Sequence, residues 1–233
     1  VVCLISTDNR FSTLQIDPAF YFVSFRDSLA LTGSLRDVAA EGVRAYVAAG
    51  TWGLHVVDIT NPSDIILVRT EPVPGNVFGI AIESGNLFLS TDGGLRILEP
   101  NGPDKFRTVG TLALSGSGRI AVANGLACIG DTLLDQLVAV DVSNRSAPRV
   151  LQRLVLPGGS PFLQEIAIAG SMVFVAQGSA GILSISTQNP ADLRILDTFK
   201  PAADSSMNAL ATFGNLLFVH DGRNAVKDKV LVV

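Results

Sequence analysis

The sequence predicts an all-β fold, a β-propeller of four-stranded antiparallel blades, on three observations. A glycine followed by a short apolar strand recurs five times, beginning at Gly42, Gly85, Gly125, Gly170 and Gly214, at intervals of 43, 40, 45 and 44 residues. A period of about 40–50 residues built from short strands marks a propeller. A second landmark follows at a nearly fixed distance: Gly53-Leu54-His55-Val56-Val57-Asp58-Ile59-Thr60-Asn61-Pro62 reappears from Gly94, Leu137 and Gly181. Its apolar residues sit two apart and it ends in turn residues, the pattern of a strand with one face on the core. Finally, no segment sustains a helical period, so almost no helix is expected.

The elements follow in order. In the first complete unit, strand one is Asp37-Val38-Ala39, strand two Ala45-Tyr46-Val47-Ala48, strand three Leu54-His55-Val56-Val57 and strand four Ile65-Ile66-Leu67-Val68-Arg69. The small first strands (Val38-Ala39, Ile80-Ala81-Ile82, Ile120-Ala121-Val122, Ile166-Ala167-Ile168, Ala209-Leu210-Ala211) suit the crowded centre of a ring, while Tyr46, Phe88, Phe174 and Phe218 fill wider gaps further out. Pairs such as Ala49-Gly50, Asp92-Gly93 and Gln177-Gly178 supply the turn between strands two and three.

One domain is expected, divided into a partial blade over residues 1–17, an aromatic insertion over 18–34, complete blades over 35–75, 76–115, 116–160 and 161–204, and a partial blade over 205–233. Val2-Cys3-Leu4-Ile5-Ser6-Thr7 matches Ile182-Leu183-Ser184-Ile185-Ser186-Thr187, which would start the chain on a third strand with Phe11–Ile16 as a fourth. Val230–Val233 aligns with another third strand, giving 21 strands where a closed five-blade ring needs 20. The five visible repeats therefore read as part of a six- to eight-bladed ring; the alternative is a closed five-blade ring with one strand misassigned.

The segment Gly-Leu-x-Val-Val-Asp-Ile-Thr-Asn-Pro, with Arg36-Asp37-Val38-Ala39 and Ala45-Tyr46-Val47-Ala48 before it, resembles the LVIVD repeat of bacterial and archaeal, often cell-surface, β-propellers. The resemblance runs from about Leu35 to Val233 and is strongest in the first complete unit; Glu99 replaces the aspartate in the second and Cys128 the aromatic in the third. It implies the fold and an extracellular or cell-surface setting, and no particular activity. A WD-type propeller fits less well, since Trp52 is the one tryptophan and no Trp-Asp pair recurs.

Composition narrows the function classes. Charged residues make up 16% of the chain, below the roughly 25% of an average soluble domain. A net charge of −4 lacks the basic footprint that nucleic acid requires. No run approaches the roughly 18 apolar residues that a membrane-spanning helix needs. Cys3 and Cys128 lie several sheets apart, beyond the ~7 Å a disulfide allows, so two buried free thiols are expected.

Catalytic motifs are absent: there is no Gly-x-Ser-x-Gly elbow, and Gly116-Ser117-Gly118 leads into a strand. His55 is expected in the gap between blades or in solvent, and His220 in a solvated turn beside Asp221. Asp37, Gly79, Arg119, Glu165 and Asn208 occupy equivalent positions at the start of each first strand, near the channel mouth. Oxygen ligands there would suit a hard cation such as calcium, although Arg119 opposes one and satisfaction of loop backbone explains the same polar groups. Phe20, Tyr21, Phe22 and Phe25 in the aromatic insertion, with Trp52 in a hairpin turn, are the partner-binding candidates.

Two readings of function follow. One is a non-catalytic interaction module of an exported or cell-surface protein, binding a protein or carbohydrate partner without a cofactor. The alternative is an enzyme or ligand-binding propeller whose site at the channel mouth uses Asp37, Arg119, Glu165 and Asn208. The first is favoured because no titratable cluster is indicated by spacing.

Overall fold

A computed structural model describes residues 2–17, 22–157, 163–200, 206–213 and 216–222, and every regular element among them is a β-strand. The first sheet joins β1 (Val2–Ile5), β2 (Arg10–Asp17) and β3 (Phe22–Ala30). Four complete antiparallel sheets follow, each with its strands in chain order. They are β4 (Asp37–Glu41), β5 (Arg44–Ala48), β6 (Leu54–Asp58) and β7 (Ile66–Glu71); then β8 (Val77–Glu83), β9 (Asn86–Thr91), β10 (Gly94–Pro100) and β11 (Phe106–Leu112). Next come β12 (Ile120–Ala123), β13 (Leu126–Asp131), β14 (Gln136–Asp141) and β15 (Arg149–Val155), and then β16 (Glu165–Ala169), β17 (Met172–Ala176), β18 (Ile182–Ser186) and β19 (Arg194–Phe199). A last pair holds β20 (Met207–Phe213) and β21 (Leu216–Asp221). The four-stranded sheets are blades, and the chain falls into two compact units, residues 1–114 and 115–233.

Burial follows strand position. In the first complete blade β6 reads buried from Leu54 to Val57, whereas Ile66, Leu67 and Val68 on the outer β7 are exposed. Glycine makes the tight link between first and second strands: Gly42 and Gly85 sit at φ 60° and 73°, a region costly for residues with a Cβ. In the first unit β4 lies beside β8 and β1 beside β4. The core between two of its blades gathers Leu54, Val77, Ile80, Leu87 and Leu89, with Tyr46 set edge-on to Phe106 at 5.7 Å between ring centres. Burying each such side chain is worth about 1.5–3 kcal/mol. In the second unit β12 lies beside β16 and β16 beside β20, over a core that includes Cys128, Leu137, Val175 and Leu183.

The chain does not begin on a third strand. In all four complete blades the pairing of third and fourth strands slips by one residue, at Val56/Val57, Ile97/Leu98, Ala139/Val140 and Ser184/Ile185. The same slip falls between β2 and β3, at Thr13/Leu14. β1 lies beside β4 just as the second strand β5 lies beside β8. Thus β1, β2 and β3 are second, third and fourth strands. The hairpin Ser6-Thr7-Asp8-Asn9, with Asn9 at φ 60°, is the counterpart of Ala49-Gly50-Thr51-Trp52: the Ser6 N–H reaches Arg10 O as the Ala49 N–H reaches Gly53 O. Residues 22–30, expected within an aromatic insertion, are the outer strand of this blade. Aromatic side chains suit a pleated surface as well as a loop.

Candidate functional site

The polar residues at the starts of the first strands hold backbone. Asp37 Oδ1 accepts the N–H of Val38 and its Oδ2 the N–H of Ile80, both at 2.9 Å, so one carboxylate joins β4 to β8. In the second unit Glu165 accepts the N–H of Ile166 at 3.1 Å, and Arg119 Nε donates to the Gln164 carbonyl at 3.1 Å with the Glu165 carboxylate 3.8 Å away. The Asn208 carbonyl oxygen accepts the Ser206 hydroxyl at 2.9 Å. Gly79 is buried within β8. Among the described residues no three His, Cys, Asp or Glu side chains gather as a metal cluster.

A second set of links ties neighbouring blades near their rim. Asp27 on β3 accepts the N–H of Ile65 at 2.9 Å and that of Ser28 at 2.7 Å, which together hold its carboxyl below the usual range. At the same register Gln152 on β15 accepts the N–H of Leu193. Arg44 bridges Asp104 at 2.6 Å and Asp58 at 2.9 Å. That hydrogen bond raises the Arg44 pKa and lowers that of Asp104. Asp58 is lowered first by Thr60, whose N–H it accepts at 2.8 Å, and then by Arg44.

His55 lies in the gap between blades, fully buried. Its Nδ1 is 2.8 Å from the Thr70 hydroxyl and its Nε2 2.8 Å from the Thr32 carbonyl. A carbonyl only accepts, so Nε2 carries a proton. Both cysteines are free: burial pushes the Cys128 thiol up to about 12, and Cys3, half-buried, is raised for the same reason. His220 lies on β21 and is exposed.

The aromatic candidates separate. Phe20 and Tyr21 lie outside the described residues, and Phe22 is placed through its backbone at the start of β3. Phe25 is 63% exposed on β3, and Trp52 is 55% exposed in the β5–β6 hairpin. That hairpin is held rigid by Ala49 N–H to Gly53 O at 2.9 Å, with Trp52 N–H to Ala49 O and Gly53 N–H to Gly50 O, each at 3.2 Å. The indole rests over Gly33, where a Cβ would stand 2.6 Å from its Cδ1. Sequence reasoning missed Leu133 and Leu134, exposed in the equivalent β13–β14 hairpin. The signal was there: Asp131-Thr132-Leu133-Leu134-Asp135 sets two leucines in a polar turn.

Residues 32–70 and 116–154 match the model of the LVIVD repeat. No curated protein matches the chain in sequence. Solved structures share the fold at low identity. A Lactobacillus plantarum protein is 14% identical, with 98% of this chain covering 78% of that one at a TM-score of 0.77. A putative 6-phosphogluconolactonase from Bacteroides fragilis is 12% identical, with 93% of this chain covering 71% of that one at 0.71. The Swd1 β-propeller domain of Myceliophteria thermophila is 11% identical, with 99% of this chain covering 84% of that one at 0.65. With four-stranded antiparallel sheets joined in order, these likenesses make the chain a β-propeller. Among its described residues no helix is long and apolar enough to cross a membrane.

Proposed function

We propose that this propeller is an interaction module that binds a protein partner through the β5–β6 hairpin of its first unit, in an exported or cell-surface setting. The observation that carries this reading is Trp52: a large aromatic, 55% exposed, on a hairpin fixed by its own backbone hydrogen bonds. A pre-ordered aromatic loses little conformational freedom on docking, and tryptophan is prominent among residues that dominate binding energy. An enzymatic site built on Asp37, Arg119 and Glu165 has less support, because each of these groups is engaged with neighbouring backbone. The likeness to a putative lactonase is one of fold.

The test is quantitative affinity capture from cells that make the chain, with wild type, Trp52→Ala and the outer-strand control Val155→Ser. A protein held by wild type and by the control, but reduced at least about tenfold by Trp52→Ala, supports the reading; tenfold corresponds to ~1.4 kcal/mol, modest for a hot spot. Equal retention by all three overturns it.

A further inference from the structure

The blade formed by β8–β11 has an open recess where its neighbour is filled. In the β4–β7 blade, register aligns His55 with Arg96, Thr70 with Thr111, and Gly53 with Gly94. His55 closes its own position with bonds on both ring nitrogens, and Trp52, just before Gly53, covers the adjoining Gly33. The residue just before Gly94 is Gly93, and the β9–β10 hairpin is one residue shorter. Over Gly75, the counterpart of Gly33, the Asp92 carboxylate stands in place of an indole, and beside it a recess of about 380 Å³ remains, lined among others by Gly75, Asp92, Gly93, Leu95, Arg96 and Thr111. That volume sits near the lower end of the ~300–1,000 Å³ typical of small-molecule sites.

Arg96 is the chemical feature of this recess. Its Nε is buried without a hydrogen-bond partner, and its Nη1 reaches the Thr108 hydroxyl only at 3.4 Å. A buried N–H without an acceptor is uncommon, and a guanidinium edge matches a carboxylate in two parallel bonds. Leu95 supplies an apolar wall, and Asp92, exposed at the rim against Gly75, can accept from a ligand N–H or hydroxyl. Val138 and Leu183 stand at the corresponding positions of the two following blades, so no other complete blade places arginine there.

We infer that this recess binds a small planar carboxylate that also carries an N–H donor, its carboxylate on Arg96 and its N–H on Asp92. Indole-3-acetate is the probe, with uncharged indole-3-acetamide as its control, followed by amide chemical shifts on the folded chain. The expected result is saturable shifts centred on Asp92–Arg96 with a Kd of about 1 mM or tighter, as suits a ligand of this size. The acetamide should bind at least about tenfold more weakly. Arg96→Met keeps the aliphatic stem and should cost a similar factor. Gly93→Trp rebuilds the filled arrangement and should abolish binding; a Cβ at Gly93 meets only the Thr91 hydroxyl, at 3.7 Å, so the substitution is sterically open. No saturable shift by about 10 mM, equal binding of the acetamide, or binding that survives Gly93→Trp would each overturn the inference.

Discussion

Asp37 and Ile80 join two blades through one hydrogen bond: the carboxylate on β4 accepts the backbone N–H at the heart of β8, at 2.9 Å. Its other oxygen takes the N–H of Val38, so the side chain replaces water for two amides at once. Ile80 is buried, and an amide there left without an acceptor loses its solvation with nothing in return.

Asp37→Ala is therefore expected to lower stability by about 1–3 kcal/mol, read as a fall in the urea midpoint at unchanged slope. Asp37→Asn keeps one carbonyl acceptor and should recover part of the loss. A change within about 0.3 kcal/mol for Asp37→Ala would sink this account and return the residue to the ligand-holding role that its position at the start of a first strand suggests.

His55 makes the same argument in a sharper form, because it is fully buried and both ring nitrogens are bonded. In the two complete blades of the second unit the corresponding positions are apolar, Val138 and Leu183, so leucine fits the register there. Yet His55→Leu orphans the Thr32 carbonyl and the Thr70 hydroxyl together, and should cost about 2–4 kcal/mol. Pairing it with Thr70→Val removes one orphan and should restore about 1 kcal/mol. Thermal unfolding of both variants decides the matter; a double variant no better than the single one would show that the Thr70 contact contributes nothing.

The blades were legible because their signals are local. Glycine after strand one, apolar residues two apart and an asparagine at the exit (Asn61, Asn101, Asn144, Asn189) each act within a few residues and recur at a near-constant period. The start of the chain misled because Ser6-Thr7-Asp8-Asn9 turns without glycine, using Asn9 at positive φ, while its flanks resemble a third strand by composition. Phe22 and Phe25 read as loop aromatics because a fourth strand, exposed on the rim, carries no inward-outward alternation; Ile66, Leu67 and Val68 are exposed in just that way. Asp37, Glu165 and Arg119 were legible as equivalent positions, but Asp37 reaches Ile80, 43 residues away, and Arg119 reaches Gln164, 45 away, beyond any local pattern. The recess over Arg96 was invisible for a different reason: it lies in a hairpin one residue shorter, where Asp92 covers Gly75 as Trp52 covers Gly33.

Acid should loosen the first unit at a definable place. Asp104 is lowered chiefly by the Arg44 hydrogen bond, Asp27 by the Ile65 and Ser28 amides, and Asp58 by Thr60 before Arg44. A carboxyl whose folded pKa is depressed contributes its full stabilisation above the unfolded value, about 3.9, and loses it as pH falls through the folded value. Stability should thus be flat above about pH 5 and decline below about pH 4. Arg44→Met removes the main cause of the Asp104 shift while keeping the packed stem. The Arg44–Asp104 pair is solvent-screened, so the variant should lose only about 0.2–1 kcal/mol at neutral pH. Its decline in acid should be shallower than that of wild type, and the two curves should approach each other towards pH 2. Denaturation midpoints measured from pH 7 to pH 2 check this, and curves that stay parallel throughout would place the acid sensitivity elsewhere.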